Sequence, residues 1–218
     1  MPTATGRLLE AAEALSRLER VVATVKGEEG QDPKLASALA TLRTLSRKEN
    51  IPMAIVGGLG AIHHGYERLT RDIDVVIATP LLDTVARVAP RYGIKVIWKD
   101  PEGWHKLSCE GVNIDVVPEG GQPRKDSPRT IPSPKQLGVP QGLDYARLAG
   151  WLETKLGSYR AQDRADVVQV IKVTSVSALA RARAHIGKVH PTYLERFNQL
   201  HTEAIEEKEQ ERQRGGKA

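Results

Sequence analysis

The chain has 218 residues, 40% hydrophobic and 27% charged, a balance that fits one folded unit or a core with a helical annex and excludes global disorder. Its 32 Lys and Arg outnumber 27 Asp and Glu, and the net charge of +5 favours an anionic partner, nucleic acid or nucleotide. The single cysteine, Cys109, excludes a disulfide framework and a multi-thiolate zinc site.

No run of about 18 apolar residues occurs, so no membrane span is expected. The first twenty residues carry acids and lack an apolar signal core, so the expected location is cytoplasmic. Leu8, Ala12, Leu15, Leu18 and Val22 recur at helical spacing over 7–22, and Leu35, Leu39, Leu42 and Leu45 do so over 34–48. Between them GEEGQDP (27–33) breaks the pattern. The two helices are expected to form an antiparallel pair over 1–50, ahead of a core at 51–140 and a helical region at 141–218.

In the core, MAIVG (53–57) reads as a buried strand, 59–65 as a short helix, and DIDVVIA (72–78) as a second strand. PLLDTVARVAPRYG (80–93) opens on proline and closes on glycine, the usual helix asymmetry. IKVIW (94–98), HKLSC (105–109) and VNIDVV (112–117) read as three more strands, the last two joined at Glu110-Gly111, a hairpin signal. Six of the thirteen prolines fall between 118 and 140, predicting a long loop. Helical patterns follow at 144–156, 163–172, 176–187 and 191–211, and the polar end EEKEQERQRGGKA is expected to be a frayed helix terminus.

The stretch IVGGLGAIHHGYERLTRDIDVVI (55–77) concentrates the chemistry. In a strand, residues two apart share a face, so Asp72 and Asp74 project together while Ile73 and Val75 face the core. Two adjacent carboxylates repel unless a cation sits between them, and oxygen-only donors suit Mg²⁺ with phosphate oxygens completing its shell. Gly57-Gly58 lets backbone amides approach a phosphate, with a helix start behind them. Asp115 adds a third carboxylate on a later strand, placed to join a second metal or to accept a proton from an attacking hydroxyl. His63 and His64 are read as the end of the short helix, Cys109 as a small buried hydrophobe, and Trp98, Trp104 and Trp151 as core, with stacking on a base the alternative.

A Gly-Gly turn, a spacer, Asp-x-Asp and a later Asp resemble the minimal nucleotidyltransferases of the DNA polymerase β superfamily. Gly57, Gly58, His64-Gly65, Arg68-Leu69-Thr70 and Asp72-Ile73-Asp74 are similar in arrangement to the AbiEii-like nucleotidyltransferase toxins. Residues 131–167 add a Ser-Pro-led loop, a helix with Lys155, and Asp163 with Asp166. The resemblance covers about 55–172. It implies an α/β nucleotidyltransferase fold with a small mixed sheet. It also implies transfer of a nucleoside monophosphate from an NTP to a hydroxyl, with Mg²⁺ on Asp72, Asp74 and Asp115. Gly57, Gly58, Arg68, Thr70, Lys155 and Asp163 would be nucleotide contacts, the 3′ end of a tRNA the acceptor, and an antitoxin the partner. A protein hydroxyl, a small-molecule acceptor and a catalytically silent binding module stand as alternatives. Two departures are visible: Gly58 replaces a serine, and Gln162 stands where the family has an arginine before the late Asp pair.

Overall fold

The computed structural model describes residues 4–27 and 32–215, with side chains described from residue 10 to 214. The chain is a mixed α/β protein whose six strands form one sheet in the order β3-β4-β5-β2-β1-β6. Helix α1 (Ala4–Lys26) and helix α2 (Pro33–Lys48) come first. Asp32 caps α2 by accepting from the Leu35 amide at 3.1 Å, and its own amide donates back to Arg20 O of α1. The chain therefore folds back on itself here. The Leu8 side chain and residues 28–31 of the expected break lie outside the described residues.

The core follows as β1 (Met53–Ile55), α3 (Gly57–His63), β2 (Asp72–Ile77), α4 (Leu82–Val88), β3 (Lys95–Lys99), β4 (His105–Cys109) and β5 (Val112–Pro118). The helix expected over 80–93 is only α4, flanked by two short 3₁₀ turns with Pro80 and Pro90 near their starts. Strands β1 and β2 run antiparallel, β2 and β5 parallel, and β3-β4-β5 form an antiparallel meander. Glu110 and Gly111 both have positive φ, 50° and 84°, as a two-residue type I′ hairpin requires.

The helix expected over 144–156 begins late. Residues 143–145 form strand β6 (Leu143–Tyr145), parallel to β1, and helix α5 starts only at Leu148. The remaining helices are α5 (Leu148–Ser158), α6 (Ala161–Val173), α7 (Val176–Val189) and α8 (Pro191–Gly215). The polar end expected to fray continues α8 as far as Gly215. No helix among the described residues is long and apolar enough to cross a membrane.

Strand alternation divides the interior into two cores. Ile55, Ile73, Val75, Ile114 and Val116 face a core shared with Leu39, Leu42 and Leu45 of α2 and Val85 of α4. Ala54 and Val76 face the other, filled by Trp151, Leu152, Val170, Ile186 and Phe197 of the C-terminal helices. The polar edge of that second face carries the aspartates.

Candidate active site

Parallel pairing of β2 with β5 sets Asp74 opposite Asp115 and Asp72 opposite Asn113. Period-two alternation buries Ile73, Val75, Ile114 and Val116 on the opposite side, so all three expected carboxylates share one face. Burial, then the charges of Asp72 and Asp115, push the Asp74 carboxyl up to about 6 against the pull of Lys155 and Arg160. A carboxylate in this state is short of positive charge. Asp115 has one partner, Lys106 at 3.8 Å across the adjacent strand.

The glycine pair does not end a strand. Strand β1 stops at Ile55, and Gly57 and Gly58 open α3. Gly57 adopts φ 58°, and a Cβ there would stand 1.8 Å from Asp74 Oδ2. The missing side chain is thus the space in which the Asp74 carboxyl sits, and any other residue would displace it. Gly58 leaves room for Thr70, whose Oγ1 would lie 2.8 Å from an added Cβ. Thr70 is buried and donates to Asp72 Oδ1 at 3.1 Å. It orients a carboxylate, a different task from the nucleotide contact expected of it.

A second acidic cluster lies behind the first. Arg68 Nη1 donates to both carboxylate oxygens of Asp166 at 2.8 Å. Lys155 Nζ donates to Asp166 at 2.7 Å and to Asp163 at 3.0 Å, and Gln162 Nε2 adds 2.9 Å to Asp166. Asp163 also accepts from Ser158 Oγ and from the backbone N and Nε of Arg160 at 3.1 and 2.9 Å. Burial pushes the Asp163 carboxyl up, but Arg160, Lys155 and Ser158 outweigh it and hold the value near 2. The N-terminus of α6 is capped with Arg160 at the N-cap and Asp163 at the third position. Arg68, expected at a phosphate, instead ties the loop before β2 to α6. Gln162 serves the same cluster.

Between the two clusters opens a cavity of about 270 Å³. Gly57, Asp74 and Asp115 line the sheet side, and Lys155, Arg160 and Asp163 the helix side. Of the expected nucleotide contacts, Gly57, Lys155 and Asp163 therefore reach it. Arg68 and Thr70 stand behind the wall. Sequence reasoning missed Arg160, whose side chain is 70% exposed and lines the cavity beside Asp74's field. Its place three residues before Asp163 was the available signal. Trp98 and Trp104 line the far end, and Trp98 is 47% exposed, against its assignment to the core. Trp151 is core, and its indole N–H donates to Gly57 O at 3.1 Å.

The two histidines are structural. His63 closes α3 and stacks on Tyr145 at 4.2 Å. His64 Nε2 lies 3.0 Å from Ala146 O, and burial lowers its pKa to about 4, so the ring is neutral near pH 7 and donates that bond.

No family model matches the sequence, and no curated protein matches it. Solved structures do. A solution structure of the antibiotic-resistance factor ANT(2'')-Ia is 12% identical over 84% of this chain and 98% of that one, with a TM-score of 0.42. A crystal structure of ANT(2'')-Ia in complex with adenylyl-2''-tobramycin is 13% identical over 79% and 98%, at 0.41. The Thermotoga maritima CCA-adding enzyme complexed with tRNA is 17% identical over 89% of this chain and 53% of that one, at 0.38. At these values the chain's own residues must carry the functional reading.

Proposed function

We propose that the protein is a Mg²⁺-dependent nucleotidyltransferase that moves a nucleoside monophosphate from an NTP to a hydroxyl acceptor. The observation that supports this best is the in-register row of Asp74 and Asp115, with Asp72 two residues away, on a cavity whose opposite wall holds cations. Among the described residues no group of three or more His, Cys, Asp or Glu side chains holds a metal ion by itself. The three aspartates nonetheless fit Mg²⁺ by donor type: burial, then repulsion from Asp72 and Asp115, raises Asp74, and a cation relieves both. Phosphate oxygens and water would complete its shell. When bound, the metal would neutralise charge on the transferring phosphoryl group.

The protein's own groups supply the rest. Arg160 reaches into the cavity and can pair with a triphosphate while keeping its bond to Asp163. Lys155, already shared by two carboxylates, contributes field more than a free contact. Asp115, held among the described residues only by Lys106 at 3.8 Å, is the carboxylate best placed to accept the acceptor's proton. The acceptor in this reading is an RNA 3′ end of the tRNA kind, with the protein acting as a toxin restrained by an antitoxin. That finer reading rests on the Gly-Gly, Arg-x-Thr and Asp-x-Asp resemblance together with the net positive charge.

The test is transfer of α-labelled NTP, with Mg²⁺, into total RNA and total protein. Label in RNA is expected from the wild type, and none from Asp74→Asn or Asp72→Asn with unchanged circular dichroism. Normal transfer by either variant contradicts the metal assignment.

A further inference from the structure

Strand β3 is the edge of the sheet, and it contains a bulge. Val96 pairs with Leu107, yet the next pair is Trp98 with Lys106, so Ile97 is the extra residue. In a regularly paired strand Val96 and Trp98, two residues apart, would share a face. Val96 packs against the core beneath the sheet. The bulge turns Trp98 to the opposite face, which bulges beside functional sites commonly do.

The register then continues across three strands. Trp98 lies opposite Lys106, Lys106 opposite Asp115, and Asp115 opposite Asp74. All four residues line the same cavity. Neighbouring strands stand about 4.8 Å apart, so Trp98 lies roughly 10 Å from Asp115 along the row. Lys95, opposite Ser108, shares this face, and its side chain is exposed. An indole nearly half exposed, flanked by two lysines on one face, is an arrangement that suits a polyanion carrying flat rings. A saccharide or a protein hydroxyl needs neither the cations nor the bulge. Lys99, on the opposite face, pairs with Asp83 at 3.2 Å and takes no part.

We propose that Trp98 is the acceptor-side stacking platform, on which a base of single-stranded RNA lies while Lys95 and Lys106 face its phosphates and the 3′ hydroxyl is presented at Asp115. This rests on the nucleotidyltransferase reading with an RNA acceptor and adds the residues that would hold that acceptor. Lys106 has a double place in the row. Paired with Asp115 in the free protein, it moves to the phosphate when RNA arrives and leaves the carboxylate open.

The experiment measures binding, so it does not depend on turnover. A fluorescein-labelled oligoribonucleotide with a free 3′ hydroxyl and an abasic oligomer of equal length are titrated by anisotropy. Binding of a fluorescent ATP analogue with Mg²⁺ is measured alongside. Stacking on an aromatic side chain is worth about 1–3 kcal/mol per base, so Trp98→Ala should bind the oligoribonucleotide about fivefold to a hundredfold more weakly. Trp98→Phe should recover most of that loss. The abasic oligomer should bind wild type and Trp98→Ala alike, and ATP-analogue binding should not change. Lys106→Gln should flatten the salt dependence by about one charge.

Equal RNA binding by wild type and Trp98→Ala overturns the proposal, as does a wild type that binds no RNA. A loss of ATP-analogue binding as large as the loss of RNA binding also overturns it, and makes Trp98 a donor-side residue. A wild type that binds RNA through Trp98 yet transfers no nucleotide contradicts the enzymatic reading and leaves the platform standing.

Discussion

Two groups of aspartates flank the cavity, reaching it at Asp74 and Asp115 on the sheet side and at Asp163 on the helix side, and their surroundings treat them in opposite ways. On the sheet side, Asp72, Asp74 and Asp115 have few donors, and burial with mutual repulsion raises Asp74 to about 6. On the helix side, Asp163 and Asp166 are saturated by Arg68, Lys155, Arg160, Ser158 and Gln162, and Asp163 is held near 2. The same side chain is thus left wanting a cation in one place and given several in the other. In the function proposed above, the first arrangement is the one that takes a cation. The second is a fastening: Arg68 and Asp166 are 98 residues apart in sequence, and their pair joins the loop before β2 to α6.

The largest effect that sharpens this contrast comes from breaking the fastening. Lys155→Ala should leave two buried carboxylates short of their cation, and removing one partner of a buried pair costs about 3–5 kcal/mol. At roughly 2–4 °C per kcal/mol for a chain of this size, the melting temperature should fall by about 10 °C. Calorimetry on wild type and variant checks this. An unchanged melting temperature with a raised KM for NTP would restore Lys155 to the role of triphosphate ligand that its sequence context suggests.

A smaller effect separates the two clusters by pH, measured in EDTA. Asp163 has a folded value below the ordinary 3.8. It therefore contributes stability that is fully present above about 4 and is lost as pH falls towards 2. Asp74 has a folded value above 3.8. Its ionisation costs stability that builds between about pH 4 and 6 and is full above 6. Asp163→Asn should therefore melt below wild type at pH 7. Asp74→Asn should melt above wild type at pH 7 and converge with it near pH 4. Melting curves of the same sign for both variants would show that the clusters do not differ as described.

How much of this was legible in the sequence follows from how local each feature is. The Asp72/Asp74 face was readable because period two is set within one strand. The hairpin was readable because Glu110-Gly111 alone fixes the turn. Strand β6 was not readable: Leu143–Tyr145 is three residues long and becomes a strand only because β1 offers a parallel partner, which no local pattern announces. The Arg68–Asp166 pair and the bulge at Ile97 were hidden for the same reason, since each depends on a distant strand or helix. Arg160 was not legible because, apart from its place three residues before Asp163, nothing in its local sequence distinguishes it from an ordinary exposed arginine. The cation reaches the cavity across the α5–α6 turn.

The smallest expected effect concerns His105, 4% exposed, with both ring nitrogens buried and without a hydrogen-bond partner among the described residues. Unpaired buried polar groups cost about 1–3 kcal/mol each. His105→Phe should therefore be neutral or slightly stabilising by calorimetry. A marked destabilisation would show that the ring has a polar partner in solution, such as a buried water.

The central claim, that the carboxylate row performs chemistry while the opposite wall holds the nucleotide, is tested most directly by Asp115→Ala. NTP binding and transfer from α-labelled NTP are measured on one preparation. Loss of a general base costs about 10²–10⁴ in rate. The variant should bind NTP within about an order of magnitude of wild type and transfer almost nothing. Normal transfer by Asp115→Ala, or no transfer by wild type to any RNA, protein or small acceptor, would contradict the account.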